Sequence, residues 1–279
     1  MLKKIDKMLF VVYCLLFSMV MSKLIKTLDQ IEGIKASCRA LAKVFVELEK
    51  MVKPGISTAD LEKTACQLIA KAGGRPAFKG YQTHRGAQAF PTALCTSINE
   101  EIVHAPAIPA RKLREGDIIG VDAGMELNGY YSDMARTIAV GKIDAKTKKL
   151  LEVTKRALDL GIAQVADGKK LDDIGRAIQN HVEANGMSVV RDLVGHGVGL
   201  AVHEDPQIPH YAIKESGLPN VRLQAGMVLA LEPMVTLGDW PIADKGDGFT
   251  FVTADGSLAA QFEDTVLVTK SGYEILTRL

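Results

Sequence analysis

Five residues of the sequence have side chains that commonly bind metal ions, and each lies in or beside an apolar stretch. They are Asp122 and Asp133 in a predicted hairpin, His196 in the glycine-rich GHGVG, Glu232 in LALEPM and Glu263 in QFEDTVLVT. An unpaired charge in apolar surroundings is very costly, so carboxylates buried together need protons or metal ions. The four carboxylates are negative and the imidazole is neutral, so a pair of divalent cations would balance the set. Oxygen ligands with one imidazole suit Mn, Fe, Co or Zn and do not select among them.

Such a pair of ions would give the protein a hydrolytic centre. Two metals about 3.5–4 Å apart can activate a water and polarise an acyl oxygen, without a serine or cysteine nucleophile. Each residue alone has a plainer explanation, because hairpin acids are usually solvated and single buried histidines are usually structural. Other known patterns do not apply: no second histidine follows His203 at the HExxH spacing, and GHGVG lacks the spacing of a dinucleotide-binding loop.

The two aspartates belong to a predicted β-hairpin at residues 118–140. Asn128 and Gly129 are the strongest short-range signal for a tight hairpin turn. A two-residue turn fixes the register, so Asp122 and Asp133 should share one face of the hairpin as diagonal neighbours. Such neighbours lie about 7–8 Å apart at the backbone.

The remaining elements repeat in order, with a pair of helices followed by strands in each half. Apolar spacing and capping residues predict four helices: one begins after Thr27 and ends before Pro54, one runs from Ser57 to Gly73, one from Asp144 to near Asp167 and Gly168, and one from Leu171 to Asn185. Strands are predicted near residues 93–98, 102–103, 228–232, 249–252 and 261–268. Residues 75–90 have no clean period and are predicted to form a loop at the rim of a pocket. The pattern indicates two similar α/β halves around a shared sheet, forming a single domain over residues 22–279.

Composition excludes several function classes. The net charge of +1 over 279 residues gives no electrostatic footprint for nucleic acid. The four cysteines are scattered, which excludes a disulfide framework or a structural zinc site and favours the reducing cytoplasm. No exposed apolar stripe is evident, so a monomer is expected.

The N-terminus departs from this pattern. Lysines precede an apolar run at residues 8–21, which is short for a membrane-spanning helix of about 20 residues. The run could be a signal or membrane anchor, a hydrophobic N-terminal helix, or the product of an over-long start assignment with translation beginning at Met19 or Met21. The last is favoured, because globular patterning starts near residue 22 and no cleavage site follows the run.

The motifs together resemble the methionine aminopeptidase type I family. The resemblance is carried by the spacing of Asp122 and Asp133 and by GHGVG, HEDP, LEPM and QFEDT, and it extends from about residue 25 to the C-terminus. It implies a pita-bread fold, with pseudo-symmetric halves and helices on a central, mainly antiparallel sheet. It also implies two metal ions, bridged by Asp133 and Glu263. The five matching metal ligands are Asp122, Asp133, His196, Glu232 and Glu263.

The resemblance also assigns roles to residues near the metals. His104 and His203 would contact the substrate and stabilise a developing oxyanion. Glu232 would carry a proton from the attacking water to the leaving amine. His84, His181 and His210 match no catalytic position.

A pocket for a methionine side chain is the third implication. Its lining would match Phe90, Cys95, Val202 and Phe249, although a buried cysteine and aromatic residues are equally common in an ordinary core. Phe90 replaces a tyrosine found in many members, Ala105-Pro106 follows His104 in place of the usual glycine, and the loop at residues 82–89 is longer than usual. These departures concern the pocket rim rather than the metal ligands.

The function implied is removal of the initiator methionine from nascent chains near the ribosome when the second residue is small. An X-Pro aminopeptidase or dipeptidase of the same fold is the alternative enzyme, although such enzymes usually carry a large extra N-terminal domain. A non-catalytic pita-bread binding module is the third interpretation, and the retention of all five ligand positions argues against it. Membrane tethering is expected only if residues 8–21 form an anchor.

Overall fold

A computed structural model describes residues 24–279 of the chain. The interpretations of the apolar run at residues 8–21 therefore lie outside the described part. Within the described part, none of the helices combines the length and apolarity needed to cross a bilayer.

The four predicted helices are present, and the N-termini of the first three are capped as the sequence indicates. Thr27 and Ser57 each form a capping box, and the Asp144 carboxylate accepts a hydrogen bond from the backbone N–H of Thr147. The third helix ends at Ile162, earlier than predicted. Apolar spacing predicts that Leu28 faces the core, but its side chain is 81% exposed. The helices are α1 (Leu28–Met51), α2 (Thr58–Lys71), α3 (Ala145–Ile162) and α4 (Leu171–Ala184).

An antiparallel sheet of eleven strands organises the fold, and a sheet of three strands lies beside it. The central order of the large sheet is β1-β4-β5-β13-β9-β7-β8; strands β2, β6, β10 and β14 pair at its sides, and β11, β12 and β3 form the small sheet. The strands are β1 (Arg75–Pro76), β2 (Leu94–Ile98), β3 (Glu101–Val103), β4 (Ile118–Leu127), β5 (Tyr130–Ala139), β6 (Ser188–Val189), β7 (Gly195–Gly197), β8 (Glu204–Ile208), β9 (Val228–Leu231), β10 (Met234–Thr236), β11 (Ile242–Asp244), β12 (Phe251–Thr253), β13 (Ala259–Thr269) and β14 (Gly272–Ile275).

The hairpin of β4 and β5 has the predicted register. Asp122 lies opposite Ala135, and Asp133 lies opposite Gly124. Asn128 and Gly129 have φ angles of 54° and 85°, which is the left-handed backbone that a type I′ turn requires. The turn therefore determines which face of the hairpin receives the aspartates.

Each half of the sheet is covered by one helix pair. Residues of α1 and α2 pack with β2, β4 and β5 in one apolar core, and residues of α3 and α4 pack with β9 and β13 in another. The halves join where β5 pairs with β13, a junction called here the seam. Only two residue pairs define its register, one of them Ala135 with Glu263. The Thr137 hydroxyl reinforces it by donating to the Gln261 carbonyl at 2.7 Å and accepting the Gln261 N–H at 2.9 Å.

Candidate metal centre

The sheet brings the five candidate ligands to one place. Asp122, Asp133, Glu263 and His196 lie on β4, β5, β13 and β7, and Glu232 directly follows β9; in the sheet these strands are consecutive neighbours. Opposed residues of a sheet share a face, as do residues two apart on one strand. One position of β5 lies opposite both Asp122 and Glu263 and is two residues from Asp133, so these three carboxylates face the same side.

The donor atoms of the cluster lie close enough together to bind one metal ion. The His196 Nε2 atom is 3.5 Å from Glu232 Oε1 and 4.0 Å from Asp133 Oδ2. One donor atom from each of Asp133, His196 and Glu263 lies within 4.8 Å of the other two. Atoms this close can contact a common ion.

Burial destabilises the charged form of the four carboxylates unless positive charge is nearby. Burial raises the pKa of Asp122 to about 7. The pKa values of Asp133, Glu232 and Glu263 are raised well above their usual range, first by burial and then by the charges of the neighbouring carboxylates. One buried oxygen on each of Asp122, Asp133 and Glu263 has no hydrogen-bond partner among the described residues. A divalent cation would bind the unpartnered oxygens and reduce the repulsion between the carboxylates. The set of donor atoms therefore fits a divalent cation.

His196 is oriented as a neutral ligand. Its Nδ1 lies 2.9 Å from the Gly197 carbonyl, which can accept only from an N–H, so the proton is on Nδ1 and the Nε2 lone pair points toward the carboxylates. Burial lowers the pKa of His196 to about 3, which keeps the ring neutral.

Two residues without an assigned role hold Glu232. The Gln261 amide donates to Glu232 Oε2 at 3.0 Å, and the fully buried His210 accepts the Glu232 backbone N–H on Nε2 at 3.1 Å. Gln261 lies within the QFEDT motif, whereas nothing in the local sequence distinguishes His210 from a structural histidine.

His104 and His203 line the open side of the cluster. The ring centroids of His203 and His196 are 4.5 Å apart. Partial desolvation by the cavity walls lowers the pKa of His104 to about 4, and the pKa of His203 is lowered for the same reason. His104 has a φ of 61°, an unusual conformation for a residue other than glycine and one that occurs often at functional sites.

A cavity of about 280 Å³ opens onto the cluster. Phe90, Cys95 and Phe249 line it, and the rings of Phe90 and Phe249 meet edge to face at 5.4 Å. Val202 is buried in the same apolar cluster but is not among the residues that line the cavity. Phe78 is a lining residue that the sequence did not identify. The predicted rim loop is confirmed in position, since its residues Thr83 and Gln88 reach the cavity.

The fold and this site define a class of protein. The model of metallopeptidase family M24 matches residues 32–270, and the chain belongs to this family. The predicted architecture, two similar halves with helices on a central antiparallel sheet, is thereby confirmed.

Individual proteins within and near this family are also similar to the chain. The chain is 46% identical to methionine aminopeptidase 1 of Bacillus subtilis over 257 residues, covering 91% of this chain and 98% of the relative. The crystal structure of the methionine aminopeptidase of Thermotoga maritima has a TM-score of 0.85 and 42% identity, covering 91% of this chain and 99% of that one. A prolidase from Pyrococcus furiosus shares the fold at a TM-score of 0.70 and 24% identity; the match covers 94% of this chain and 67% of the prolidase.

Proposed function

We propose that this chain is a methionine aminopeptidase that removes the N-terminal methionine of peptides whose second residue is small. The observation that carries the proposal is an apolar, sulfur-containing pocket that opens directly onto a cluster of buried carboxylates and imidazoles. An unbranched thioether fits such walls, because it is flexible and makes favourable contacts with aromatic rings. Relatives of 41–46% identity bearing that name support the same activity.

Two divalent ions are the proposed cofactors. We assign Asp122, Asp133, His196, Glu232 and Glu263 as the residues that would hold these ions. The charge count, the unpartnered oxygens and the free Nε2 of His196 support this assignment. When bound, the ions would supply an activated water and polarise the scissile carbonyl.

The residues around the ions would bind the substrate, transfer a proton and stabilise the developing negative charge. The apolar pocket binds the methionine side chain and fixes the position of the scissile bond. Glu232, held by Gln261, takes a proton on its carboxylate from the water and passes it to the leaving amine. His104 and His203 face the cavity, where their ring N–H groups can donate to the carbonyl oxygen as negative charge develops on it.

A panel of peptides tests the proposed activity. The full chain supplied with Mn²⁺ or Co²⁺ should release methionine from Met-Ala-Ser and spare Met-Lys peptides by at least about a hundredfold, since a tight site rejects a larger second residue. Equal turnover of Ala-Pro peptides would favour the X-Pro alternative. No turnover of any peptide, with metal bound, would favour a non-catalytic binding module.

His203→Ala tests the assignment of the substrate-binding histidines. Loss of one oxyanion donor should lower kcat by about 10²–10³. Metal content per chain should stay unchanged, because His203 is proposed to contact substrate and not metal. Parallel peptide assays and metal analysis measure both, with His181→Ala on α4 as the control. A variant that loses metal would make His203 a ligand instead.

The cellular setting is also proposed from the sequence. We expect a single catalytic domain over residues 22–279, acting as a monomer in the cytoplasm on nascent chains near the ribosome. The balanced net charge and the unpaired cysteines Cys38, Cys66 and Cys95 support this setting.

A further inference from the structure

Tyr81 contacts one of the two histidines at the mouth of the site. Its hydroxyl oxygen lies 2.8 Å from Nδ1 of His203, and the two ring centroids are 5.0 Å apart. The two residues are 122 positions apart in the sequence.

The backbone holds Tyr81 in this place. Its N–H donates to the Phe78 carbonyl at 2.8 Å, and its carbonyl accepts the N–H of Phe90 at 2.9 Å. Gly80 donates to the Phe90 carbonyl at 2.8 Å, so a pair of hydrogen bonds closes the base of the loop at residues 82–89. The length of that loop therefore does not displace Tyr81 from His203.

The Tyr81 hydroxyl can be the donor of this hydrogen bond. Among residues 24–279 the Tyr81 hydroxyl makes no second hydrogen bond, so its proton has only the His203 nitrogen as a protein acceptor. A neutral imidazole carries a single N–H. If Nδ1 accepts from the phenol, the ring proton must lie on Nε2, the nitrogen on the other side of the ring.

We propose that Tyr81 is a positioning residue that holds His203 as its Nε2–H tautomer, so that this N–H can donate to the carbonyl oxygen of the peptide substrate. The proposal rests on the proposed aminopeptidase function for its substrate. Tyr81 acts through His203 and takes no part in binding metal. It makes the histidine a donor before substrate arrives, which spares a tautomer change during the reaction.

Tyr81→Phe removes only the hydroxyl and keeps the ring that packs at the cavity. The kcat on Met-Ala-Ser should fall about 3–10-fold, the value of one neutral hydrogen bond, with KM and metal content unchanged. The matched control is Tyr211→Phe, which removes a hydroxyl that donates to the Arg191 carbonyl at 2.8 Å outside the cavity, and it should retain full kcat. A rise in KM at constant kcat would overturn the proposal, because it would make Tyr81 a packing residue for the peptide.

A double-mutant cycle separates action through His203 from an independent effect. In the His203→Ala background, Tyr81→Phe should cost nothing further, since the histidine it orients is gone. If Tyr81→Phe lowered kcat by the same factor in both backgrounds, the proposal would be overturned.

The ¹⁵N NMR spectrum of the Zn²⁺-loaded protein reads the tautomer without any turnover. The His203 ring, assigned by its absence from His203→Ala, should carry its proton on Nε2 in the unaltered protein and lose this preference in Tyr81→Phe. A proton on Nδ1 in the unaltered protein would overturn the proposal. This result does not depend on the peptide panel, so failure of the proposed function and failure of the tautomer assignment are distinguishable.

Discussion

Replacing Asp133 with asparagine should abolish both metal binding and turnover. Asp133 is 2% exposed, lies near His196 and Glu263, and has an unpartnered carboxylate oxygen. Asparagine keeps the shape but removes the negative charge, so the set no longer balances two divalent ions. Turnover should fall by at least about a thousandfold, because bound metals contribute several kcal/mol to such reactions. Peptide assays and metal analysis of the same preparation measure both losses.

The metal-free form of this variant distinguishes a ligand from a structural residue. Without metal, the melting temperature of Asp133→Asn should equal or exceed that of the unaltered protein, because one of four repelling carboxylates has been removed. Asp192→Asn, at an exposed aspartate, is the matched control and should change neither metal content nor turnover. Full metal content with full turnover in Asp133→Asn would contradict the assignment of Asp133 as a metal ligand.

Metal removal should make the protein less stable as the pH rises from 7 to 9. The folded-state pKa is about 7 for Asp122 and well above the usual range for Asp133, Glu232 and Glu263. In the unfolded chain these carboxyls titrate near pH 4. The folded state therefore binds more protons, and its advantage is lost as the pH rises through the folded pKa values. The slope is about 1.4 kcal/mol per pH unit for each excess proton.

Buried histidines and cysteines also make stability depend on pH, so they determine the pH range to use and the need for a metal-loaded control. The buried histidines have lowered pKa values and act in the opposite direction, but unfolded histidine takes up protons mainly below about pH 6.5. Burial raises the pKa of the Cys38 and Cys95 thiols, which adds to the loss at high pH in both forms. Urea unfolding at pH 7, 8 and 9 should show a steeper loss for the metal-free protein than for the Zn²⁺-loaded one. Equal slopes would mean that the carboxylates do not repel one another in the folded state.

The hairpin is the part of the site that local sequence determines. Asn128 and Gly129 impose a turn geometry, and the alternation of side chains along a strand then fixes the faces of Asp122 and Asp133. Helix caps are equally local, which is why α1 and α2 begin where Thr27 and Ser57 predict.

The pairing of distant strands is not determined by local pattern. Glu263 meets the aspartates because β13 pairs with β5, a contact between residues more than a hundred positions apart that no periodicity reveals. Only the resemblance to a family supplied that convergence in advance. The short strand β10 was not predicted because three residues carry no readable alternation. Tyr81 was missed because its partner His203 belongs to the other half of the chain.

Metal ions bound at the candidate centre would also link the two halves of the sheet. Asp122 and Asp133 belong to one half, and His196, Glu232 and Glu263 to the other, while the ladder that joins β5 to β13 is only two residue pairs long. An ion held from both sides would be a cross-link across this junction. Local opening of the seam would then require release of the ion, so the free metal concentration would influence how often the halves separate.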